Sequence, residues 1–331
     1  MSARAFVTGA NGFIGSHLVR LLLQQGYAVR ALVRPQSRLD NLAGLAAEIV
    51  TGDLNDPELA QAMQGFQSLF HLAACNSLWW ADRHRLYASN VRGTQNVLAA
   101  ARQAGIERTV FTGSAVNLDT ARRALPPNEA HPASARSLAG PYERSKYWAE
   151  QAALTAASGG QSIVVAIPTT PLGPGDIKPT PAGDIVLRFL RRQMPVYMPT
   201  GFNAIDVRDA AWGHLLALER GRSGERYLLG CQNLSLKALL DRLAALTGLA
   251  APRVAVPPWL PAIAAWADER VLAPLGKAPA VPLEGIRMAA RPLYCDCSKA
   301  VRELGLPQSP LEPALRDAVD WFRQNGYAKL E

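Results

Sequence analysis

Tyr142 and Lys146 are the residues whose types and spacing first suggest chemistry, four positions apart in the run Pro141-Tyr142-Glu143-Arg144-Ser145-Lys146-Tyr147-Trp148-Ala149-Glu150. On a helix, positions i and i+4 share a face about 6 Å apart, so both side chains can enter one cavity. A phenol with a pKa of about 10 holds its proton too firmly to exchange it at neutral pH, but a neighbouring ammonium favours the phenolate and would make it a tunable acid. Such a pair also arises on ordinary solvated helices, so its meaning depends on what converges with it. Ser114 is the candidate partner. It follows Thr109-Val110-Phe111-Thr112-Gly113, an apolar run that reads as a strand, and ligands of open α/β folds bind at the carboxyl ends of strands. His71 lies in the alternating run Leu69-Phe70-His71-Leu72 and reads as a satisfied core histidine rather than a catalyst.

The elements that must position these groups begin at the N-terminus. Ala5-Phe6-Val7-Thr8 reads as a strand, Gly9-Ala10-Asn11-Gly12-Phe13-Ile14-Gly15 as a glycine turn, and Ile14, Leu18, Leu21 and Leu22 as the buried stripe of a helix. Gly9 makes the turn, Gly12 lets the backbone approach a pyrophosphate, and Gly15 lets the helix pack on the strand; the helix N-terminus then offers free N–H groups to the phosphates. Residues 27–34 form a second strand ending on Arg34, with Ser37 and Arg38 close behind, where a carboxylate would mark NAD. A guanidinium there can bind a 2′-phosphate, so NADP is favoured over NAD, the alternative being that Arg34 stacks on adenine and accepts either. Further strands are expected to end near Asp53-Leu54, at Ala73-Ala74, whose small side chains allow backbone contact with a cofactor, and over 163–167. Asn90-Val91-Arg92-Gly93-Thr94 is expected to open a helix.

The loop spacing, Gly-x-x-Gly-x-x-Gly, resembles that of the short-chain dehydrogenase/reductase superfamily in its extended form. Essentially the whole chain is similar to that family, and residues 169–181 and 213–222 look like its dihydroflavonol-reductase-like branch, which includes proteins called hopanoid-associated sugar epimerases. The resemblance implies a Rossmann-type, doubly wound parallel α/β sheet with a smaller mixed substrate domain. It also implies that Gly9, Asn11, Gly12, Phe13, Ile14 and Gly15 cradle the dinucleotide, that Asp53 and Leu54 touch the adenine, and that Asn90 is a structural asparagine. Pro168 and Thr170 would lie along the nicotinamide. Ser114, Tyr142 and Lys146 become the catalytic set: Tyr142 exchanges the substrate proton, Lys146 lowers its pKa and holds the nicotinamide ribose, and Ser114 bonds the substrate oxygen. Relatives commonly carry Ser-Ser where this chain has Gly113-Ser114. The implied activity is NAD(P)-dependent hydride transfer to or from a secondary alcohol or ketone.

For the domains, residues 1–167 are expected to bind the dinucleotide and 168–331 mainly the substrate, with a stretch at about 204–230 returning to the first. The proline-dense run 168–181 reads as a stiff ordered loop. Residues 183–192 read as helix, 226–229 as strand, 235–247 as a helix capped by Ser235 and stopped by Gly248, and 298–304 and 311–324 as closing helices. Residues 257–266, Pro-Pro-Trp-Leu-Pro-Ala-Ile-Ala-Ala-Trp, could cap a pocket for an apolar substrate, lie in a membrane interface, or pack as ordinary core. Trp79, Trp80 and Lys178 are candidate substrate contacts. An apolar sterol-, triterpenoid- or flavonoid-like substrate fits these aromatics. A nucleotide-sugar 4-epimerase with tightly bound NAD is the alternative, with Arg188, Arg191 and Arg192 as a diphosphate clamp, and a non-catalytic cofactor-binding module is a minor one.

Composition narrows the class. Hydrophobic residues make up 49% of the 331, ample for a packed core, which excludes disordered and fibrous chains. A net charge of +8 favours anionic ligands in a general way, but the arginines are scattered and not interleaved with aromatics, so nucleic acid is not an expected partner. Cys75, Cys231, Cys295 and Cys297 are too few for a disulfide scaffold, and Cys295-Asp296-Cys297 is wrongly spaced for a zinc knuckle, so no metal is expected. No run reaches the roughly 20 apolar residues that span a bilayer, and no signal peptide is apparent. The expected setting is cytoplasmic, with peripheral contact at the inner membrane face left open. The expected partners are a small-molecule substrate and, at most, a second copy of the chain in a homodimer.

Overall fold

Short apolar runs separated by amphipathic helices set the first half of the chain. The computed structural model describes residues 3–120, 125–272 and 282–328. β1 (Arg4–Thr8) passes through the glycine turn into α1 (Phe13–Gln24), followed by β2 (Ala28–Val33), β3 (Glu48–Thr51), α2 (Leu59–Met63) and β4 (Ser68–His71). Then come α3 (Arg83–Leu86), a π-helical turn at Tyr87–Arg92, α4 (Gly93–Gln103), β5 (Arg108–Thr112), α5 (Pro141–Ser158) and β6 (Ile163–Pro168). The second half holds β7 (Thr170–Leu172), α6 (Pro181–Leu190), β8 (Val196–Tyr197), β9 (Gly201–Asp206), α7 (Val207–Arg220), β10 (Arg226–Leu229) and β11 (Gln232–Ser235). It closes with α8 (Leu236–Thr247), β12 (Val254–Ala255), α9 (Trp259–Leu272), α10 (Leu283–Ala289), α11 (Ser298–Leu304) and α12 (Leu311–Gln324).

The main sheet has seven parallel strands in the order β10-β6-β5-β4-β1-β2-β3. Parallel sheets of this kind are covered on both faces, and β6 accordingly is buried at every position. Leu18 and Leu22 of α1 and Ala210 and Leu215 of α7 pack on one face, while Leu98 of α4 and Ala149 and Ala153 of α5 pack on the other. The strand order reverses between β1 and β4, and an open sheet leaves its ligand crevice at that reversal. A second, three-stranded sheet, β11-β9-β7, is backed by α6, α8 and α12 through Val186, Leu240, Leu315 and Phe322. Of the stretch expected to return to the first domain, α7 and β10 join the main sheet, whereas β9 pairs in the small one.

Local signals place most boundaries. Ser235 Oγ accepts from Ala238 N at 3.1 Å and Gly248 takes the left-handed conformation at φ 73°, starting and stopping α8 as its sequence demands. Three expectations change. The helix expected to open at Asn90 starts earlier, at Arg83, and Asn90 sits inside the π-turn, where the wider helix lets its amide reach sideways. The proline-dense loop contains β7, because Thr170 to Leu172 pair with β9. Residues 259–266 are not core: within α9, Trp259 is 61% exposed, Ile263 60% and Trp266 52%, and Ala265 is the buried residue. All four cysteines are free thiols.

Gly113 shows how tightly the sheet meets α5. A Cβ there would lie 2.9 Å from Ile167 Cγ1 and 3.0 Å from Glu150 Oε2, so this chain has filled with Ile167 and Glu150 the space that a side chain would occupy. Gly113→Ala should therefore cost about 1–3 kcal/mol of stability by overpacking. Denaturant unfolding measures it, and an unchanged midpoint would show that the neighbours yield freely.

Candidate active site

The first half of the site is a backbone cradle. Gly9 turns at φ +69° after β1, and a Cβ on it would lie 2.6 Å from Ala73 N, beyond β4 across the strand-order reversal. A Cβ on Gly15 would collide with the Gly9 carbonyl oxygen, so only glycine lets α1 come this close. Gly12 is the N-cap of α1, with no side chain capping the helix and no acidic residue in its first turn. The first N–H groups, at Phe13 and Ile14, are thus left for an anion, and the cradle fits the pyrophosphate of a nicotinamide dinucleotide. Asn11 Nδ2 donates to the Arg38 carbonyl at 3.0 Å, tying this turn to the segment after β2. Arg34 is exposed there and its side chain makes no hydrogen bond or ion pair among the described residues, while Arg38 is engaged with Asp40 at 2.9 Å. Asp53 is exposed and accepts from Asn55, whereas Leu54 is buried among Phe6, Leu32 and Leu59.

The second half is built by the ends of β4, β5 and β6 and the first turns of α5. Ser114 stands two residues beyond β5, half-buried, and hydrogen-bonds the Tyr142 hydroxyl. Lys146 lies one turn further along α5, 7% exposed, with its Nζ 3.5 Å from the Thr112 carbonyl oxygen. The three expected catalytic residues therefore converge. Asn90 fastens them to β4: its Oδ1 accepts from Cys75 N at 2.7 Å, and its Nδ2 donates to the Cys75 carbonyl at 3.0 Å and to Ser145 Oγ at 2.9 Å. Pro168 ends β6 beside Leu229, and Thr170 opens β7 two residues later.

The electrostatics depart from the expected picture in one respect. Burial pushes the Tyr142 phenol up to about 12; the Ser114 hydrogen bond pulls it back, while Glu284, Cys75 and Glu143 push the same way as burial. Burial brings the Lys146 ammonium down to about 8, opposed by Glu150 one turn on. Lys146 faces Thr112 and Glu150, so the protein's own groups keep Tyr142 protonated at neutral pH rather than tuned toward the phenolate. His71 is a core residue as expected, with Nδ1 2.7 Å from Thr8 Oγ1 and Nε2 3.0 Å from Thr94 Oγ1; burial lowers it to about 3, so it is neutral.

Several residues escaped the sequence reading. Glu150, 2% exposed, pairs with Arg226 of β10 at 2.8 Å and accepts from Asn117 Nδ2 at 2.8 Å, and Asn117 also donates to the Lys146 carbonyl at 3.2 Å. Glu150 repeats the spacing of four that links Tyr142 to Lys146, which is the signal that could have found it. Glu284 of α10 accepts from Tyr142 N and gave no such signal. On the substrate side, Trp79 is half-buried, whereas Trp80 is 59% exposed with the Arg83 guanidinium 5.5 Å over its ring, so the two tryptophans do not line one pocket together. Leu78, beside them, packs on Gly285 of α10. Lys178 is exposed and has no bond to the catalytic residues.

The family described as NAD dependent epimerase/dehydratase matches residues 5–230. A putative dihydroflavonol 4-reductase of Synechocystis is 56% identical over 98% of this chain and 96% of its own. Sterol demethylase protein B of Methylococcus capsulatus is 36% identical over 97% of this chain and 98% of its own. A solved nucleoside-diphosphate-sugar epimerase from Pseudomonas aeruginosa superposes with a TM-score of 0.81 at 31% identity, covering 99% of this chain and all of that one. With the glycine cradle and the Ser114, Tyr142 and Lys146 cluster in place, the chain belongs to the NAD dependent epimerase/dehydratase family and is an NAD(P)-dependent enzyme of the extended short-chain dehydrogenase/reductase type.

Proposed function

We propose that this protein transfers hydride between nicotinamide and the carbinol or carbonyl carbon of an apolar, sterol-, triterpenoid- or flavonoid-like molecule, with NADP favoured over NAD. The observation that carries the reading is the contact between the Ser114 and Tyr142 hydroxyls, one helical turn from Lys146, at the sheet edge that the glycine cradle also serves. Ser114 donates a hydrogen bond to the substrate oxygen as negative charge develops. Tyr142, protonated at neutral pH, gives that oxygen its proton in reduction and takes it in oxidation. Lys146 keeps positive charge beside both and would hold the ribose of the dinucleotide, which supplies or accepts the hydride when bound.

The diphosphate clamp that a nucleotide-sugar substrate needs has little support. Arg188 pairs with Asp184 at 2.6 Å, Arg191 Nε donates to the Tyr327 carbonyl at 2.9 Å, and Arg192 is engaged as well. The relatives named as a reductase and a sterol-demethylase protein favour the same side. Among the described residues no helix is long and apolar enough to cross a membrane. The exposed face of α9 instead suits the surface of an anionic bilayer. Trp259, Leu260, Ile263 and Trp266 face solvent, the Arg270 guanidinium lies 5.3 Å over the Trp266 ring, and the chain carries a net charge of +8. Aromatics to enter the headgroup region and arginines to meet its charge are what such contact requires.

Three outcomes are expected. In a screen of steroid, triterpenoid, flavonoid and nucleotide-sugar substrates, reduced cofactor should be consumed with an apolar ketone, and Tyr142→Phe should lower kcat by about 10²–10⁴-fold with cofactor binding intact. Turnover confined to nucleotide sugars would overturn the substrate class, and full activity in Tyr142→Phe would overturn the proton donor. Arg34→Glu should raise the KM for NADP about tenfold or more with little effect on that for NAD; equal effects on both cofactors would leave Arg34 as an adenine-stacking residue. Sedimentation with phosphatidylglycerol vesicles should deplete the protein from solution, and Trp259→Ala combined with Trp266→Ala should abolish this. Equal sedimentation with phosphatidylcholine, or none with either lipid, would rule the bilayer out as the occupant of α9.

A further inference from the structure

α5 begins without a cap of its own. Its N-cap is Gly140, which has no side chain to offer, and Pro141 follows at the first helical position. The missing acceptor comes from 142 residues away. Glu284, on α10, places Oε1 3.0 Å from the amide nitrogen of Tyr142 and 3.3 Å from that of Glu143, accepting both N–H groups. A Cβ on Gly140 would land on the Glu284 carboxyl, so glycine at that position is what admits it. A second tie runs parallel, because Arg291, just past α10, pairs with Glu143 at 2.6 Å while Glu143 itself accepts from Ala139 N. The far side of α10 touches the segment after β4, where Leu78 meets Gly285.

We propose that Glu284 is a positioning residue for hydride transfer: it clasps α10 to the first turn of the catalytic helix, fixing where Tyr142 points and holding a negative charge beside its phenol. The proposal rests on the hydride-transfer reading above for its catalytic consequence, while the clasp itself can be tested without it. The helix N-terminus and the two N–H groups favour the carboxylate, whereas the surrounding groups do not. Glu143 from α5 and Glu269 from α9 face Glu284 with like charge, and burial with these neighbours raises it to about 7. Glu269 is itself bound to the Leu283 amide at the start of α10, and Arg291 is held by Glu143. Above neutral pH Glu284 is therefore charged, and its charge is among those that push the Tyr142 phenol up.

The sign of the linkage separates positioning from mere support. A carboxyl whose folded pKa is raised makes the fold lose stability as pH rises from its unfolded value through its folded one, so above about pH 7 the folded protein bears the full cost of the Glu284 charge. Glu284→Gln keeps an oxygen that accepts the two N–H groups but carries no charge. It should leave the melting temperature at pH 8 unchanged or higher, keep the Tyr142 and Glu143 amides protected from hydrogen exchange, and move the alkaline limb of kcat to lower pH. Glu284→Ala removes the acceptor. It should speed exchange of those two amides about tenfold or more and lower kcat by a similar factor, with the KM for the cofactor unchanged.

Hydrogen exchange followed by mass spectrometry on peptides spanning 140–146, alongside the pH profile of kcat, decides the matter. Protection of Tyr142 and Glu143 unchanged in Glu284→Ala would overturn the clasp. An alkaline limb unmoved in Glu284→Gln would overturn the electrostatic role. Should the wild-type enzyme turn over no alcohol or ketone at all, the hydride-transfer reading fails, and the exchange data still accept or reject the clasp.

Discussion

A buried carboxylate, Glu150, is the point on which the catalytic helix depends. It lies on the same face of α5 as Tyr142 and Lys146 and reaches two separate parts of the chain, Arg226 on the edge strand β10 and Asn117 just beyond β5, while its charge favours the Lys146 ammonium one turn away. A charge this deep is tolerated only because it is paired and hydrogen-bonded, and removing one partner from such a pair typically costs about 3–5 kcal/mol. The glycine at 113 belongs to the same arrangement, since the space beside it is occupied by Glu150 and Ile167. The helix that carries Tyr142 is thus registered against the sheet by electrostatics as well as by the apolar packing of Ala149 and Ala153.

That registration explains why the active-site groups titrate as they do. Lys146 is held low and Tyr142 high, both chiefly by burial. The two groups are neighbours on α5 but not one strong pair, because the lysine nitrogen is turned toward the Thr112 carbonyl. The nearby histidines add no charge of their own. His71 is locked between two threonine hydroxyls, and neutral His214 donates from Nδ1 to the Ala210 carbonyl and accepts at Nε2 from the Thr112 hydroxyl, with burial lowering it to about 4. The result is a site whose buried histidines are neutral and whose phenol keeps its proton at neutral pH.

Much of this was legible in the residues because it is local. A glycine at each of three positions, a strand on one side and an apolar stripe on the other describe the cradle without any knowledge of the rest of the chain. Ser235, Gly248 and the spans 298–304 and 311–324 are likewise local, decided by caps and by periodicity. What escaped detection depends on distance in sequence. The π-turn at Asn90 answers to contacts with Cys75 and Ser145, and the tyrosine's pKa answers first to the burial that tertiary packing gives it and then in part to Glu284, far along the chain. The tryptophans and aliphatics of 259–266 read most readily as core, with pocket and interface as alternatives, since hydrophobicity says that a side chain avoids water without saying what replaces it.

The asymmetry between the two halves follows from how each is specified. The dinucleotide cradle is made of backbone approach distances, which a side chain one carbon larger would destroy, so its sequence is constrained residue by residue. The proposed substrate side draws on stretches far apart in sequence, α10 and the segment around Leu78 and Trp79, which meet where Leu78 lies against Gly285. Their contacts can shift without disturbing the cradle. Glu284 is where the two halves must still agree, because α10 cannot move without drawing on the first turn of the helix that holds Tyr142.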